Sequence, residues 1–141
     1  MATANPAREV YRSAPAGVAA ARAFVVDQAH AAGLPGGLVE DLELAASELA
    51  TNAIRHGTPA TNGGTFTVSF EVIDGHAALL RVDNPDPSPI SIPNGTRMPG
   101  VDAEGGRGLA ILRGLGAHVG IVPGGAVTAS FDLARYSACE R

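Results

Sequence analysis

The sequence predicts an α+β domain, a two-layer α/β sandwich whose mixed, mostly antiparallel sheet carries three helices on one face. Three observations lead there. Two stretches within the first 57 residues repeat apolar residues at three-to-four spacing, the period of an amphipathic helix. Residues 65–73 and 76–83 read as strands joined by Asp74-Gly75, and 118–122 with 126–133 as a second hairpin. Helices interleaved with antiparallel hairpins pack as a helical layer against one side of a sheet.

Glu9–Arg12 is a short first strand. Pro15 opens the first helix near N1, where its missing N–H costs nothing. Val18, Ala21, Val25, Ala29 and Ala32 form its stripe, and Gly33 ends it. The second helix runs from Leu38 to Gly57, with the stripe Leu38, Leu42, Ala45, Leu49, Ala53 and Gly57 as a C′ residue. Residues 58–64 are loop. Thr65–Ile73 alternates, with Phe66, Val68, Phe70 and Val72 on one face and Thr65, Thr67, Ser69 and Glu71 on the other. His76–Asp83 returns. From Asn84 to Gly106 there is no period, only five prolines (85, 87, 89, 93, 99) and glycines 95, 100 and 105. So long a connection inside one domain is functional or disordered. Gly108–Leu115 is a third helix opened by glycines. His118–Val122, Pro123-Gly124-Gly125 and Ala126–Leu133 form the last hairpin.

The chain has 141 residues, enough for one domain and one core. Its 45% hydrophobic and 17% charged residues mark it as globular. A net charge of −4 argues against direct nucleic-acid binding. Cys139 is the single cysteine, so no internal disulfide forms. Met1–Pro6 lacks a basic and then apolar leader, and no run approaches the ~20 apolar residues of a membrane span, so a cytoplasmic location is expected. All ten basic residues are Arg. That excludes a GxxxxGK[ST] phosphate loop and any lysine Schiff base.

The second helix carries the sharpest chemical signal. With Leu38 at zero and about 100° per residue, Asn52 and His56 fall within the apolar stripe and Glu48 on its edge. Spaced i, i+4, i+8, these three make a polar ridge along the face that should be buried. An unpartnered buried amide or carboxylate costs a few kcal/mol, so such a ridge calls for a polar ligand. It also fits a helix turned to put the ridge at the solvent boundary, or a His/Glu metal site. A helical H-E-x-x-H pair is absent and Asn is a poor zinc ligand, whereas Asn and carboxylate oxygens suit Mg²⁺, which shares its shell with phosphates.

Gly105-Gly106-Arg107-Gly108-Leu109 precedes the third helix. Small residues at a helix N-terminus let backbone N–H groups approach phosphate, and Arg107 adds charge. G-x-G-x-x-G spacing after a strand is missing, which argues against a dinucleotide fingerprint. Asp83 ends an apolar strand. It fits an acceptor for an exocyclic amine such as adenine N6, and equally an ordinary turn in Asp83-Asn84-Pro85-Asp86.

In this order, these segments resemble the GHKL, or histidine kinase-like, ATP-binding domain, above all the small stand-alone branch of bacterial anti-sigma factor serine kinases. Glu48-Leu49-Ala50-Thr51-Asn52-Ala53-Ile54-Arg55-His56-Gly57 matches that branch's N-box. Gly106-Arg107-Gly108-Leu109 matches its second glycine box. Asp83 stands at its adenine-binding Asp and Thr128 at the Thr that supports it. The resemblance covers about Ala16 to Leu133. It departs after Asp83, where Asn84-Pro85-Asp86-Pro87 replaces D-x-G-x-G.

The resemblance implies one ATP-binding domain over 1–141, with its core at 16–133 and a lid at 84–106. It implies ATP and Mg²⁺ as cofactors. Asn52 would hold Mg²⁺, while Asp83 and Thr128 would read adenine. Gly106, Arg107, Gly108 and Leu109 would line the phosphates, and Glu48 would be the general base toward a serine hydroxyl. The implied partners are a sigma factor and an anti-sigma antagonist protein, with a homodimer compatible. The implied role is transcription regulation by a serine/threonine-protein kinase. The alternative is an ATP-dependent protein-binding module without phosphotransfer. Neither dimerisation helices for a sensor kinase nor a gyrase-type transducer is expected.

Overall fold

The computed structural model describes residues 6–57, 60–84 and 105–137. Five strands form one sheet: β1 (Ala7–Arg12), β2 (Thr65–Ile73), β3 (Ala77–Asp83), β4 (His118–Val122) and β5 (Ala126–Asp132), in the spatial order β1-β2-β3-β5-β4. Every pairing is antiparallel. The parallel component expected of a mixed sheet is therefore absent among the described residues. Four helices accompany the sheet: α1 (Pro15–Ala31), α2 (Gly36–His56), α3 (Gly105–Gly114) and α4 (Leu133–Ser137).

Strand alternation decides the layers. Phe66, Val68 and Phe70 of β2, Ala78, Leu80 and Val82 of β3, and Ala129 and Phe131 of β5 are buried on one face. They join Ala21, Val25 and Ala29 of α1, Leu38, Leu42 and Leu49 of α2, and Leu109 and Leu112 of α3 in one core. The other face carries Arg8, Ser69, Glu71, Arg81 and Thr128, as the register requires. This is a one-sided sheet, with its helical layer on the apolar side.

Local differences have local causes. α3 starts at Gly105, three residues before the expected Gly108, although glycine is a weak helix former. The hairpin between β2 and β3 turns through Asp74 and Gly75, both at positive φ, with His76 N–H donating to the Ile73 carbonyl at 2.8 Å. A short 3-10 turn, Ala60–Asn62, lies in the predicted loop.

Helix α4 is too short to show a period. It is held by its contacts: the Tyr136 hydroxyl donates to Asp41 Oδ2 of α2 at 2.6 Å, and its ring meets Phe131 edge-on at 6.5 Å. Burial, and then the bond to Asp41, push the Tyr136 phenol above its ordinary range. The folded chain therefore keeps this proton where the unfolded chain releases it, so the contribution is intact below about pH 10 and declines as pH rises beyond it. Tyr136→Phe is expected to cost about 1 kcal/mol at neutral pH. Thermal melts between pH 8 and 12 should show a shallower alkaline decline in the variant.

Candidate functional site

The predicted stripe of α2 is buried, and Val39, Ala46 and Ala50 are buried with it. Those three move the centre of the buried sector away from the polar ridge. Glu48, Asn52 and His56 therefore lie half-buried along the margin of the core rather than within it.

Glu48 reaches across to α3. A Cβ on Gly108 would fall on the Glu48 Oε1 and lie 3.3 Å from its Cδ. One helical turn along α2, the Asn52 Oδ1 is buried and has no hydrogen-bond partner among the described residues. Leaving such an oxygen unsatisfied costs roughly 1–3 kcal/mol, and a group of this kind in a folded protein asks for a functional cause. An amide oxygen is a hard ligand of the type Mg²⁺ takes. The first turn of α3, which holds Gly106 and Arg107, supplies N–H groups with no intrahelical acceptor and the positive end of the helix dipole. Only the backbone of those two residues is described. Leu109 is buried and anchors this turn in the core. Glu48, Asn52 and Gly108 are thus brought together by two helices, and an anion with a divalent cation fits what they offer. No group of three or more His, Cys, Asp or Glu side chains among the described residues is placed to hold a metal.

Asp83 and Thr128 lie elsewhere. Val82 points into the core, so Asp83 points out of the opposite face. There Arg81 takes its carboxylate, Nε at 3.0 Å from both oxygens and one terminal guanidinium nitrogen at 2.9 Å from Oδ1. That hydrogen bond raises the Arg81 pKa further. Thr128 pairs with Arg81 across the strands and shares its face, its hydroxyl 3.5 Å from the Gly120 carbonyl. An open depression of about 300 Å³, lined by Arg8, Ser69, Glu71, Leu79, Arg81 and Asp83 among others, opens on this outer side, across the sheet from the core. The Arg81–Asp83 pair is partly exposed, 43% and 27% by side chain. It is expected to contribute under about 1 kcal/mol, so Asp83→Ala should shift a urea midpoint only slightly.

Asn84 is the polar residue that sequence reasoning assigned to the turn. Its backbone N–H donates to the Gly125 carbonyl at 2.8 Å, carrying the β3–β5 ladder one bond further. Its side chain turns to the helical side, 5% exposed, and Nδ2 donates to the Ala53 carbonyl of α2 at 3.2 Å. Continuing the β3 alternation by one residue would have found it. Gly57 has an extended backbone (φ −115°, ψ −174°), not the left-handed one expected of a C′ glycine. It is glycine for space: a Cβ there would meet the Asn84 amide, with Oδ1 at 2.7 Å. The proposed lid falls, between its ends, on residues 85–104, which lie outside the described residues.

Residues 11–130 match the histidine kinase-like ATPase domain, and the chain belongs to that family. No curated protein matches the chain at a significant level.

Proposed function

We propose that the chain binds ATP with Mg²⁺ between α2 and the first turn of α3, and works as a regulatory serine kinase that also captures a sigma factor. The nucleotide part is carried by one observation: the Glu48 carboxylate set over Gly108, with the unsatisfied Asn52 oxygen one turn away. Asn52 Oδ1 would take a position on Mg²⁺. The α3 amides would hold phosphate oxygens, aided by Arg107 and by the missing side chain at Gly108. ATP, when bound, supplies the phosphoryl group. Glu48 would accept the proton of a serine hydroxyl as that oxygen bonds to the γ-phosphorus, the bond to the β–γ bridging oxygen breaks and ADP leaves.

The kinase and anti-sigma parts rest on the resemblance of residues 48–57 to the N-box of that branch. A single domain over 1–141, a cytoplasmic setting and a homodimer belong to the same reading. Among the described residues no helix is long and apolar enough to cross a membrane.

Calorimetric titration with Mg²⁺ and ATP tests the nucleotide part. Incubation with γ-labelled ATP and candidate antagonist proteins tests the rest. Label is expected on a partner serine, and Glu48→Gln should lower its rate by about 10²–10⁴-fold with ATP still bound. Tight ATP binding that labels no partner would leave the binding-module alternative.

A further inference from the structure

We infer that α4 is a brace holding α3 against α2, and that Arg135 and Tyr136 are positioning residues for the cleft at the far end of those two helices. This rests on the cleft between α2 and α3 being the nucleotide site. At the cleft, α2 meets α3 where Glu48 lies over Gly108. At the other end the link between the two helices runs through α4.

α4 starts from a firm base. Asp132 caps it, with Oδ1 accepting from the Ala134 N–H at 3.0 Å, and the Leu133 N–H donates to the His76 carbonyl of the β2–β3 turn at 2.9 Å. Adjacent residues on a helix diverge by about 100°, so Arg135 and Tyr136 reach different neighbours. Tyr136 donates to Asp41 of α2 at 2.6 Å. Arg135 goes to the end of α3. There a Cβ on Gly116 would stand 2.5, 2.6 and 2.8 Å from Nη1, Cζ and Nη2. A point so evenly spaced from those three atoms at that distance lies above their plane, so the guanidinium lies flat on Gly116. Gly116 is the left-handed residue (φ +94°) of a Schellman ending. Its N–H donates to the Arg113 carbonyl at 2.9 Å, and that of Ala117 to the Leu112 carbonyl at 3.1 Å. The Arg135 cation thus sits at the negative end of the α3 dipole, as the Glu48 carboxylate sits by the first turn at the positive end. Complementary charge holds α3 at both ends. The two grips are joined through α2. Asp41 to Glu48 is two turns of that helix, about 10 Å of rise, and Gly108 to Gly114 is nearly two turns of α3, about 9 Å. α3 therefore runs back along α2, and α4 closes the frame at the end away from the cleft.

The test is calorimetry of ATP with Mg²⁺ on the full chain, well below each variant's melting temperature. Tyr136→Phe, Asp41→Ala and Arg135→Ala should each weaken binding by about three- to tenfold, although none of these residues belongs to the proposed site. Tyr136→Phe combined with Asp41→Ala should lose no more than either alone, since both cut one bond. Asp41→Asn keeps an acceptor for the phenol and should bind ATP within about twofold of wild type. By reciprocity, ATP with Mg²⁺ should slow amide exchange in residues 133–137 of wild type, and less so in Tyr136→Phe. If α4 only adds stability, the variants melt lower yet bind ATP as wild type does, and exchange at 133–137 ignores the nucleotide. That result overturns the inference and leaves ATP binding in place. Wild type that binds no ATP overturns the cleft and the brace together.

Discussion

Asn52→Ala should weaken Mg²⁺-dependent ATP binding by roughly a hundredfold or more while leaving the melting temperature unchanged or higher. The two effects have one origin. The Asn52 oxygen is buried at the margin of α2 without a partner among the described residues, so the resting protein carries its desolvation, of order 1–3 kcal/mol. Alanine removes that cost and improves helix propensity. Against this stands only the small packing loss of a short side chain at a half-buried position. In the bound state the same oxygen is what the cation takes, and loss of a group even one shell further out costs metal sites 10–100-fold. Titration with ATP, with and without Mg²⁺, next to a thermal melt, reads both quantities. A fall in stability with unchanged affinity would mean that Asn52 is structural.

Phe66→Ala should cost about 3–5 kcal/mol, a large share of the roughly 5–15 kcal/mol that stabilises a domain of this size. Phe66 is fully buried and pairs with Tyr11 in the β1–β2 register. The two rings lie 5.8 Å apart, and Tyr11 also packs 6.4 Å from Phe24 of α1. Gly17, in the first turn of α1, approaches so closely that a Cβ there would overlap the Arg12 carbonyl and stand 3.4 Å from the Phe66 ring. One side chain thus joins an edge strand, the first helix and the sheet, and no neighbour can collapse into the space without breaking that fit. Urea denaturation should show a lower midpoint at an unchanged slope. Amide exchange in residues 7–12 should accelerate beyond the rest of the sheet, since among the described residues β1 is held by β2 alone.

The contrast between β2 and the end of β3 shows where sequence reading holds. β2 alternates over nine residues against a single buried face, so its pattern fixes both its limits and its orientation. β3 has the same alternation and ends at Asp83, as its pattern predicts, where Asn84-Pro85 begins a stretch of strong turn character. The ladder in fact gains one more backbone bond through Gly125. Asp83 and Asn84 accordingly face opposite sides of the sheet, the first toward Arg81 and the second toward Ala53 of α2. On α2 the periodicity located Glu48, Asn52 and His56 together; their place at the margin depended on Val39, Ala46 and Ala50, whose burial comes from tertiary packing. Helix α4 was illegible because five residues carry no period and its anchor, Tyr136 to Asp41, spans 95 positions.

Glu48, Asn52 and the Ala53 carbonyl all belong to one helix. Their separations are consequently set by a 1.5 Å rise and a 100° step per residue, with no loop able to retune them. α2 acts as a ruler: one residue inserted between Glu48 and Asn52 would swing one group about 100° away from the other while hardly altering composition. Indels should therefore be tolerated in the 60–64 connection and rejected between 48 and 53, a difference that a scanning insertion library would expose.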